Sequence, residues 1–411
     1  MEIYLVGGAV RDRLLGLPVK DNDWVVTGAS PEEMLKAGFI PVGKDFPVFL
    51  HPKTGEEYAL ARTERKSGKG YHGFHFHAAD DVTLEQDLQR RDLTINALAE
   101  DTEGNLIDST GGKEDLQQRL LRHVSPAFAE DPVRILRIAR FLARFSYLGF
   151  RIADETMLLM KAMVDNGEVD ALVAERVWQE TSRALSEPNP EKFIETLHEC
   201  GALKRLFPEI ERLFGVPQPE HHHPEIDTGI HTLLVLQQAC LLSTEPEVRF
   251  AALTHDLGKG TTEKDILPHH YGHEGRGYYL VKALCNRYKA PKAYKQLAEI
   301  TTQYHTHVHR AFEVKPKTLL KVLESTDAFR RPERFLQFLQ VCIADSRGRP
   351  TYEDNPYPQA DFFKLLLEKV AEVDVKEIVD AGFKGIQIRE QLHQKRMVLV
   401  KKLRKEYPSQ S

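Results

Sequence analysis

The first hundred residues of the chain alternate short apolar runs with turn-forming residues. Four short strands are predicted, with Gly, Pro and Asp between them, over residues 2–6, 23–26, 47–51 and 58–61. A helix is predicted to begin at Ala9, directly after the first strand, and Ser30 before Pro31 is typical of the start of another helix. The pattern predicts a mixed α/β region at the N-terminus.

From about Asp131 the hydrophobic pattern becomes helical and stays so. One helix face is marked by four apolar residues at helical spacing: Ile135, Ile138, Leu142 and Phe145. A stretch rich in Pro and His at 215–224 predicts a domain boundary. Further helices are predicted over 154–165, 175–186 and 190–201, within 228–330 and within 331–411. We therefore predict four regions: 1–140, 141–222, 223–330 and 331–411.

Composition indicates a folded protein, because 41% of the 411 residues are hydrophobic. Lys and Arg number 56 against 61 Asp and Glu, a net charge of −5. A protein that binds duplex DNA over its whole surface is usually basic, so no DNA partner is expected. Any contact with nucleic acid must use a local basic patch.

Targeting and redox signals indicate a cytoplasmic protein. No apolar run approaches 18 residues, so no membrane span is expected, and residues 1–6 have no charged segment typical of a signal peptide. Four cysteines stand far apart without zinc-site spacing, and we expect mostly buried, reduced thiols there: Cys200, Cys240, Cys285 and Cys342.

Two glycines and two aspartates near the N-terminus indicate a metal site beside a phosphate. Gly7-Gly8 lies between a strand and a helix, where the backbone can approach a phosphate closely. Asp21 and Asp23 flank Asn22 at a strand start, and strand alternation places both carboxylates on one face. Such a pair favours a cation, and oxygen-only ligands indicate Mg²⁺. In isolation, two aspartates at this spacing would more often be a solvated turn of acidic residues. The glycine turn upstream favours the metal-site interpretation.

Three arginines follow Asp131 on one predicted helix, at positions i, i+3 and i+6: Arg134, Arg137 and Arg140. Asp131 before Pro132 is by itself a good helix start. That interpretation does not explain the arginines, because three like charges on one side of a helix repel each other unless an anion is present. The helix is therefore predicted to face an anion.

These motifs resemble the class II nucleotidyltransferases of the polymerase-β superfamily. The resemblance rests on LVGGAVRD at 5–12 with DND at 21–23, on RRDLTINAL at 90–98 and on EDPVRILRIARF at 130–141. Their order and spacing are similar to those of tRNA CCA-adding enzymes and the related bacterial poly(A) polymerases. The resemblance implies an α+β fold, with a polymerase-β-like head built on a small mixed sheet, an all-helical neck and body, and a helical tail.

The resemblance also implies roles for single residues. Asp21 and Asp23 would be catalytic and hold Mg²⁺ for two-metal nucleotidyl transfer, with Glu57 as a candidate third carboxylate. Asp92 and Asn96 would fix the local backbone geometry. A hydrogen-bonded turn or helix cap without any nucleotide contact explains these two residues equally well. Nucleotide binding would involve seven residues: Gly8, Arg11, Arg91, Asp131, Arg134, Arg137 and Arg140.

Within this set, Arg137 and Arg140 would face the triphosphate, and Asp131 and Arg134 would read the base. A carboxylate accepts a hydrogen bond from the exocyclic amine of C or A, and it repels the carbonyl oxygen that U or G presents there. An Asp/Arg pair can thus select CTP and ATP without a nucleic-acid template.

Histidines are concentrated in a second segment, with 11 of the 18 in residues 221–309. The doublet His255-Asp256 ends an apolar helical run, with His231 upstream and His305 downstream. Imidazole ligands suit a transition metal such as Ni²⁺ better than Mg²⁺. The histidines at 221–223 and 269–270 are predicted to lie on the surface or in loops.

The histidine pattern resembles the HD phosphohydrolase superfamily, in which His255 and Asp256 would be catalytic and would bind the metal together with His231 and His305. A closing aspartate is expected, and Asp345 and Asp327 are both candidates. CCA-adding enzymes that carry an HD domain form a multifunctional subgroup. Membership implies tRNA, CTP and ATP as partners. It also implies 2′,3′-cyclic phosphodiesterase, 2′-nucleotidase and phosphatase activities, suited to repair of tRNA 3′ ends, in a monomer or homodimer.

Three alternatives stay open at this point. A poly(A) polymerase would share the head motifs, although the HD segment and the modest C-terminal segment argue against it. A regulatory nucleotidyltransferase–HD protein would also combine both domains, but in another order or with added repeats. A non-catalytic RNA-binding protein would have lost carboxylates such as Asp21 and Asp23, which are present.

Two basic segments each permit two interpretations. Residues 65–71 form a glycine-containing loop that is either solvated or influences nucleotide choice. Residues 384–405 carry eight cationic side chains against Glu390 alone. This segment is either a solvated helix face or a contact for tRNA phosphates.

Overall fold

The computed structural model describes residues 1–42, 48–66, 74–77, 81–221 and 223–407. The chain divides into two compact units, Met1–Leu206 and Phe207–Ser411. The domain boundary predicted at 215–224 lies beyond this division and stays a prediction, as do the four predicted regions. The predicted loop at 65–71 falls mainly on residues outside the described ranges.

The strands all belong to the N-terminal unit. They are β1 (Glu2–Val6), β2 (Asp23–Thr27), β3 (Ile40–Val42), β4 (Val48–Leu50), β5 (Glu57–Leu60), β6 (Thr63–Lys66), β7 (Phe74–His77), β8 (Ala99–Glu100), β9 (Leu106–Ile107), β10 (Leu120–Leu121) and β11 (Arg151–Ile152). Seven of them form one mixed sheet in the order β3-β4-β5-β2-β1-β8-β9, and β6-β7 and β10-β11 form two small sheets. All four predicted strands are present within a few residues of their predicted bounds.

Both faces of the mixed sheet are covered by buried apolar residues. Successive residues of β2 point to opposite faces, so they belong to different clusters. Val25 packs with Val6 and Ala99 in one buried cluster. Val26 packs with Leu60 in another. β2 pairs in antiparallel fashion with β1 and in parallel with β5. This pairing fixes which residues at the start of β2 have neighbours on β5.

The helices of the N-terminal unit begin where the sequence places capping residues. Ser30 and Thr83 each form a reciprocal capping box at the start of a helix. The helices are α1 (Gly8–Leu14), α2 (Pro31–Lys36), α3 (Leu84–Gln89), α4 (Gly112–Gln118), α5 (Val133–Phe145), α6 (Asp154–Asp165), α7 (Ala174–Leu185), α8 (Glu191–Glu199) and α9 (Ala202–Leu206). The amphipathic α5 buries its apolar face and packs against α7 and α8.

The regular elements described in the second unit are all helices. Its helices are α10 (Pro208–Glu211), α11 (Thr228–Leu242), α12 (Pro246–Thr254), α13 (His273–Arg287), α14 (Lys292–His309), α15 (Pro316–Ser325), α16 (Pro332–Arg347), α17 (Pro358–Ala371), α18 (Val375–Asp380) and α19 (Ile386–Glu406). A mixed sheet followed by helices confirms the predicted α+β class. Among the described helices, none combines the length and hydropathy needed to cross a bilayer.

Two glycines set close helix contacts in the second unit. A Cβ on Gly258 would lie 1.9 Å from the carbonyl oxygen of His273, so the turn after α12 approaches the start of α13 as only glycine allows. A Cβ on Gly348 would lie 2.5 Å from a side-chain carbon of Val235, so the end of α16 lies against α11. The Gly348 contact brings the predicted ligand His231 beside Asp345. The Gly258 contact brings Asp256 close to His273, which was not predicted as a ligand.

Candidate functional sites

The N-terminal unit contains a strongly cationic cavity of about 520 Å³. Its lining includes nine arginines and three aspartates. Except for Asp21 and the candidate carboxylate Glu57, every head residue predicted to act in metal or nucleotide binding lines it: Gly8, Arg11, Asp23, Arg91, Asp131, Arg134, Arg137 and Arg140. An excess of guanidinium groups in a concave site is suited to a polyphosphate.

Gly7 and Gly8 form the turn between β1 and α1 at the edge of this cavity. Gly7 has a φ of 69°, a conformation that favours glycine. A Cβ at this position would also lie 2.9 Å from Nη1 of Arg91. The glycine turn thus leaves room for the Arg91 guanidinium.

Pairing of β2 with its parallel neighbour β5 positions two carboxylates of the candidate metal site. Asp23 is the first residue of β2, and its direct partner on β5 is Glu57. Asp21 precedes the strand, so strand alternation does not place it, contrary to the sequence argument. Desolvation raises the pKa of Asp23; Arg91 opposes this shift, and the nearby charges of Glu57 and Asp21 add to it. A carboxylate whose pKa is raised by neighbouring carboxylates fits a site where a divalent cation is held by oxygen ligands.

A hydrogen-bonded network connects the three sequence motifs of the head. Arg11 donates to Asn96, whose amide donates to Asp92 over 2.9 Å. Arg137 Nε donates to Asp92 Oδ2 over 2.7 Å. Burial alone would raise the pKa of Asp92, but Arg137 and Asn96 outweigh it and hold that pKa well below its ordinary value. Asp92 and Asn96 therefore form a buried positioning network.

The arginines of α5 are neutralised in part by carboxylates of the protein. Besides the Arg137–Asp92 pair, Arg140 Nε donates to Glu180 Oε2 on α7 over 2.7 Å. Repulsion along the helix therefore does not by itself demand a foreign anion, which corrects that step of the sequence argument. Both of these bonds use Nε, and Arg140 Nη1 also lies 3.7 Å from Glu187 Oε1.

Asp131 is held by an arginine that the sequence motifs did not reveal. Arg176, on α7, donates from Nη1 to Oδ1 over 3.0 Å and from Nη2 to Oδ2 over 2.7 Å. Asp131 Oδ1 also accepts from the backbone N–H of Val133, so the residue caps α5 as its sequence context indicates. Arg134 donates to the backbone carbonyls of Ala127 and Arg90. Arg176 stands 45 residues from Asp131, with no spacing signal to identify it.

The second unit contains a cavity of about 610 Å³ lined by histidines and two aspartates. Asp256, His305 and His273 line it together with Asp345, and His231 and His255 are fully buried beneath. The predicted HD doublet lies at the end of α12, His231 on α11 and His305 on α14. Four helices, α11, α13, α14 and α16, and the turn after α12 therefore contribute to a single cluster.

Of the two candidate closing aspartates, Asp345 is the one that lies in this cluster. Its Oδ1 lies 3.1 Å from His231 Nε2 and 3.6 Å from His255 Nε2. The other candidate, Asp327, pairs with Arg330 over 2.8 Å outside the cluster. The contact of Gly348 with α11 places the C-terminal end of α16, and with it Asp345, beside His231.

Charge in the cluster favours a bound cation. Burial lowers the pKa of His255, but Asp256 and Asp345 outweigh it and raise this pKa to about 10. His255 Nε2 and Asp256 Oδ1 are buried without a hydrogen-bond partner among the described residues. Imidazole and carboxylate donors that converge in this way fit a divalent transition metal.

Further residues of the HD cavity were not predicted. His309 Nε2 lies 2.7 Å from Asp345 Oδ2, and its Nδ1 lies 2.6 Å from the Tyr357 hydroxyl. His309 follows His305 by four residues on α14, so helical spacing could have identified it. Lys259 lies 2.6 Å from Asp256 Oδ2. His223, expected to lie on the surface or in a loop, has a largely buried side chain that lines the cavity.

Comparison with known proteins identifies the family to which the chain belongs. The "Multifunctional CCA protein" of Thioalkalivibrio sulfidiphilus (strain HL-EbGR7) is 61% identical over 407 residues, which cover 99% of this chain and 100% of that protein. The protein of the same name from Teredinibacter turnerae (strain ATCC 39867 / T7901) is 62% identical and covers 98% of each chain. The chain belongs to the family of multifunctional CCA proteins. It is a CCA-adding nucleotidyltransferase with an HD domain.

Domain families match successive parts of this CCA-adding enzyme. "Poly A polymerase head domain" matches residues 3–122, "Probable RNA and SrmB- binding site of polymerase A" matches 149–214, and "HD domain" matches 228–331. The solved Bacillus stearothermophilus CCA-adding enzyme in complex with CTP aligns with a TM-score of 0.64 at 22% identity, over 97% of this chain and 89% of that one. At this identity the likeness shows the fold.

Proposed function

We propose that the head unit adds C, C and A to the 3′ end of tRNA from CTP and ATP, without a nucleic-acid template. The observation that carries this proposal is the cavity in which nine arginines stand beside Asp23 and the glycine turn. Family membership supports the reaction. The B. stearothermophilus relative was solved with CTP, and a Thermotoga maritima CCA-adding enzyme was solved with tRNA.

In this reaction the RNA 3′-oxygen attacks the α-phosphorus of the nucleotide, and the bond to the β-phosphate breaks to release pyrophosphate. Asp21, Asp23 and Glu57 would hold two Mg²⁺ ions, which when bound activate the hydroxyl and neutralise the leaving group. Arg91, Arg137 and Arg140 bind the triphosphate through guanidinium groups that are already oriented by Asp87, Asp92 and Glu180.

Nucleotide choice depends on Asp131 and Arg134 in this proposal. Asp131 accepts a hydrogen bond from the exocyclic amine of C or A, and Arg134 donates to the adjacent ring acceptor. Arg134 is mostly buried and its Nη groups are tied to two backbone carbonyls, which fixes the guanidinium. A fixed donor beside a fixed carboxylate favours one hydrogen-bonding pattern over its reverse.

A primer-extension gel tests the head proposal. The protein is incubated with Mg²⁺, a tRNA transcript that lacks its final CCA, and each nucleotide singly and combined. We expect addition to stop after C, C and A. Asp23→Asn and Glu57→Gln should each lower the rate at least about a hundredfold, because each replaces a negatively charged carboxylate by a neutral amide that holds Mg²⁺ more weakly.

Glu32→Gln, an exposed carboxylate on α2, is the matched control and should extend the RNA like the parent protein. An unbounded ladder of A would instead identify a poly(A) polymerase. No extension in the parent protein would favour the regulatory alternative. Full activity in Glu57→Gln would show that Glu57 is not a ligand of the metal site.

We further propose that the HD unit hydrolyses phosphate esters at RNA 3′ ends, including 2′,3′-cyclic phosphates and 2′-phosphates, with Ni²⁺ or a similar ion. The buried cluster of His231, His255, Asp256 and Asp345 carries this proposal. A damaged or cyclic end would be cleaned by the HD unit before the head rebuilds CCA.

Hydrolysis of 2′,3′-cyclic AMP tests the second proposal. Treatment with EDTA should abolish hydrolysis, and Ni²⁺ should restore it. His255→Gln should lower the rate at least about a hundredfold because it removes a buried metal ligand, whereas His269→Gln, an exposed histidine, should not. Unchanged hydrolysis in His255→Gln would place the activity outside this cluster.

A further inference from the structure

An aromatic ring lies in the wall of the arginine-rich head cavity. Among the described residues that line this cavity, Phe141 is the one aromatic side chain. It lies on α5, directly after Arg140 and four residues after Arg137, and it is 5% exposed. A phenyl ring accepts no ordinary hydrogen bond and carries no charge for a phosphate. Its position in this wall therefore points to a role toward its neighbours.

Three guanidinium groups of the cavity lie over this ring. Cζ of Arg140 is 4.6 Å from the ring centroid, Cζ of Arg11 is 5.3 Å from it and Cζ of Arg137 is 5.8 Å from it. A cation within about 6 Å of a ring centroid is attracted by the electrons of the ring face. Phe141 is thus a shared contact of three arginines that the sequence assigns to nucleotide binding, one on α1 and two on α5.

Phe145 extends the aromatic surface by one helical turn, because residues four apart share a helix face. The rings of Phe141 and Phe145 are parallel within 1°, with their centroids 6.1 Å apart. Cζ of Arg11 lies 4.9 Å from the Phe145 centroid, and Cζ of Arg144 lies at the same distance. Four guanidinium groups therefore rest on two rings.

Carboxylates and rings restrain these arginines in different directions. Arg11 Nε donates to Asp12 Oδ1 over 2.8 Å, and Arg140 Nε donates to Glu180 Oε2 over 2.7 Å. The N–H donors of a guanidinium lie in its plane, so such bonds fix its position within that plane. Contact with a ring face restrains the tilt of the plane. Together the two kinds of contact define a full orientation.

The ring contacts matter because like charges are buried together. Arg11 is 3% exposed. Burial lowers the pKa of its guanidinium and the charge of Arg144 adds to this shift, whereas Asp12 opposes it. Further carboxylates would balance these charges, but they would also repel a triphosphate. A neutral ring attracts the guanidinium groups and adds no net negative charge, so the cavity keeps its attraction for a polyanion.

We propose that Phe141 is a positioning residue of the head, whose ring holds Arg11, Arg137 and Arg140 in the orientation that binds the triphosphate of the incoming nucleotide. The proposal rests on the nucleotidyl transfer proposed above and deepens it. The ring acts on the phosphates through the arginines and not on the base, because it is buried and guanidinium groups lie over it.

Fluorination of the ring tests the proposal on the full chain. Difluoro-, trifluoro- and pentafluorophenylalanine at position 141 withdraw electrons from the ring face in steps and keep the apolar ring. Isothermal titration calorimetry measures the affinity for CTP and for inorganic tripolyphosphate in the absence of RNA. Both affinities should fall with each step, by about tenfold in total. KM for CTP should rise in parallel, with kcat changed by less than about twofold.

Pentafluorophenylalanine in place of Phe49 is the matched control. Phe49 is buried with Val26, Met34 and Leu60, and its fluorination should leave both affinities unchanged. Phe141→Leu removes the ring and should weaken the binding of both ligands, whereas Phe141→Tyr keeps the ring and should recover most of it. Circular dichroism verifies folding, and the fluorinated series decides the question if Phe141→Leu does not fold.

The outcomes separate this inference from the function beneath it. Equal affinities across the fluorinated series would overturn the positioning role and leave nucleotide addition intact. A weaker affinity for CTP with an unchanged affinity for tripolyphosphate would show that the ring stacks on the base, which also overturns the proposal. A parent protein that binds neither ligand would overturn the proposed nucleotidyl transfer itself.

Discussion

At the scale of single residues, the cationic cavity of the head is ordered by the protein's own acids. Arg137 is held by Asp92 and Arg140 by Glu180, each through Nε. Asp12 accepts from both Arg11 and Arg144. These ion pairs fix guanidinium groups before any ligand arrives, which reduces the entropy lost on binding a triphosphate.

Arg176 provides a test of how Asp131 is positioned. Because Arg176 binds both oxygens of Asp131, Arg176→Ala should let that carboxylate rotate and weaken its selection of C and A. We expect the ratio of UTP and GTP addition to CTP and ATP addition to rise about tenfold, as measured in single-nucleotide extension assays.

The conservative variant distinguishes positioning from general damage to the fold. Arg176→Lys keeps the charge without the bidentate geometry and should recover selectivity only in part. Arg151→Ala removes an exposed arginine elsewhere in the unit and should leave selectivity unchanged. An Arg176→Ala enzyme that loses rate but keeps its full selectivity would contradict the positioning role.

At the scale of elements, close packing between segments assembles both sites. Parallel pairing of β2 with β5 places Glu57 beside Asp23. In the HD unit, Gly277 of α13 packs against Gly258, and a Cβ on Gly277 would also lie 2.6 Å from Cγ2 of Thr302 on α14. The small residues allow three segments that carry Asp256, His273 and His305 of the HD cavity to approach one another.

Two glycines of α13 form a matched pair for testing this packing. Gly277→Ala should destabilise the protein by about 1–3 kcal/mol, because the added methyl group has no room against α14. Gly275→Ala, two residues earlier on the same helix and facing open space, should be neutral or stabilise by up to about 1 kcal/mol.

Urea unfolding of the full chain followed by circular dichroism measures both effects. Equal stability of the two variants would show that the contact between α13 and α14 is not tight. A loss of stability in Gly275→Ala alone would reverse the assignment of the packed face.

At the scale of the whole molecule, each unit contains all the residues of its own site. The head cavity draws on residues up to Arg176, and the HD cavity draws on residues from His223 onward. The basic tail on α19 belongs to the second unit and is partly engaged there. Arg396 stacks on Phe329 at 3.8 Å, and Arg404 donates to the carbonyl of Phe312.

The exposed remainder of the tail is open to a test for tRNA binding. Replacement of four exposed cations by Gln removes phosphate contacts if the tail binds RNA: Lys384, Arg389, Lys401 and Lys405. The slope of log affinity against log salt should then become shallower by up to about 3, at about 0.7–0.9 per phosphate contact. Fluorescence anisotropy with labelled tRNA at several salt concentrations measures this slope.

Removal of positive charge elsewhere in the chain, again by replacement with Gln, provides the control for the tail. Replacement of exposed Lys53 and Lys113, which lie outside the tail, should leave the slope unchanged. An unchanged slope in the tail variant would identify 384–405 as a solvated helix face, the other interpretation of its sequence.

The sequence by itself determined the local features. Hydrophobic periodicity identified α5, capping residues identified the start of α2, and the apolar run from Glu2 identified β1. Three functional motifs could also be recognised because each lies within a few residues: the glycine turn, the arginine series of α5 and the HD doublet. Short-range spacing is sufficient for such features because backbone geometry fixes which near neighbours share a face.

Only the tertiary structure decided which distant residues meet. It placed Glu57 opposite Asp23, selected Asp345 over Asp327, and grouped His305 with His273. Arg176 and Asp131 are separated by 45 residues, and His231 and Asp345 by 114. No spacing rule connects such pairs, because their contact depends on how strands pair and how helices pack through close-contact residues such as Gly258 and Gly348.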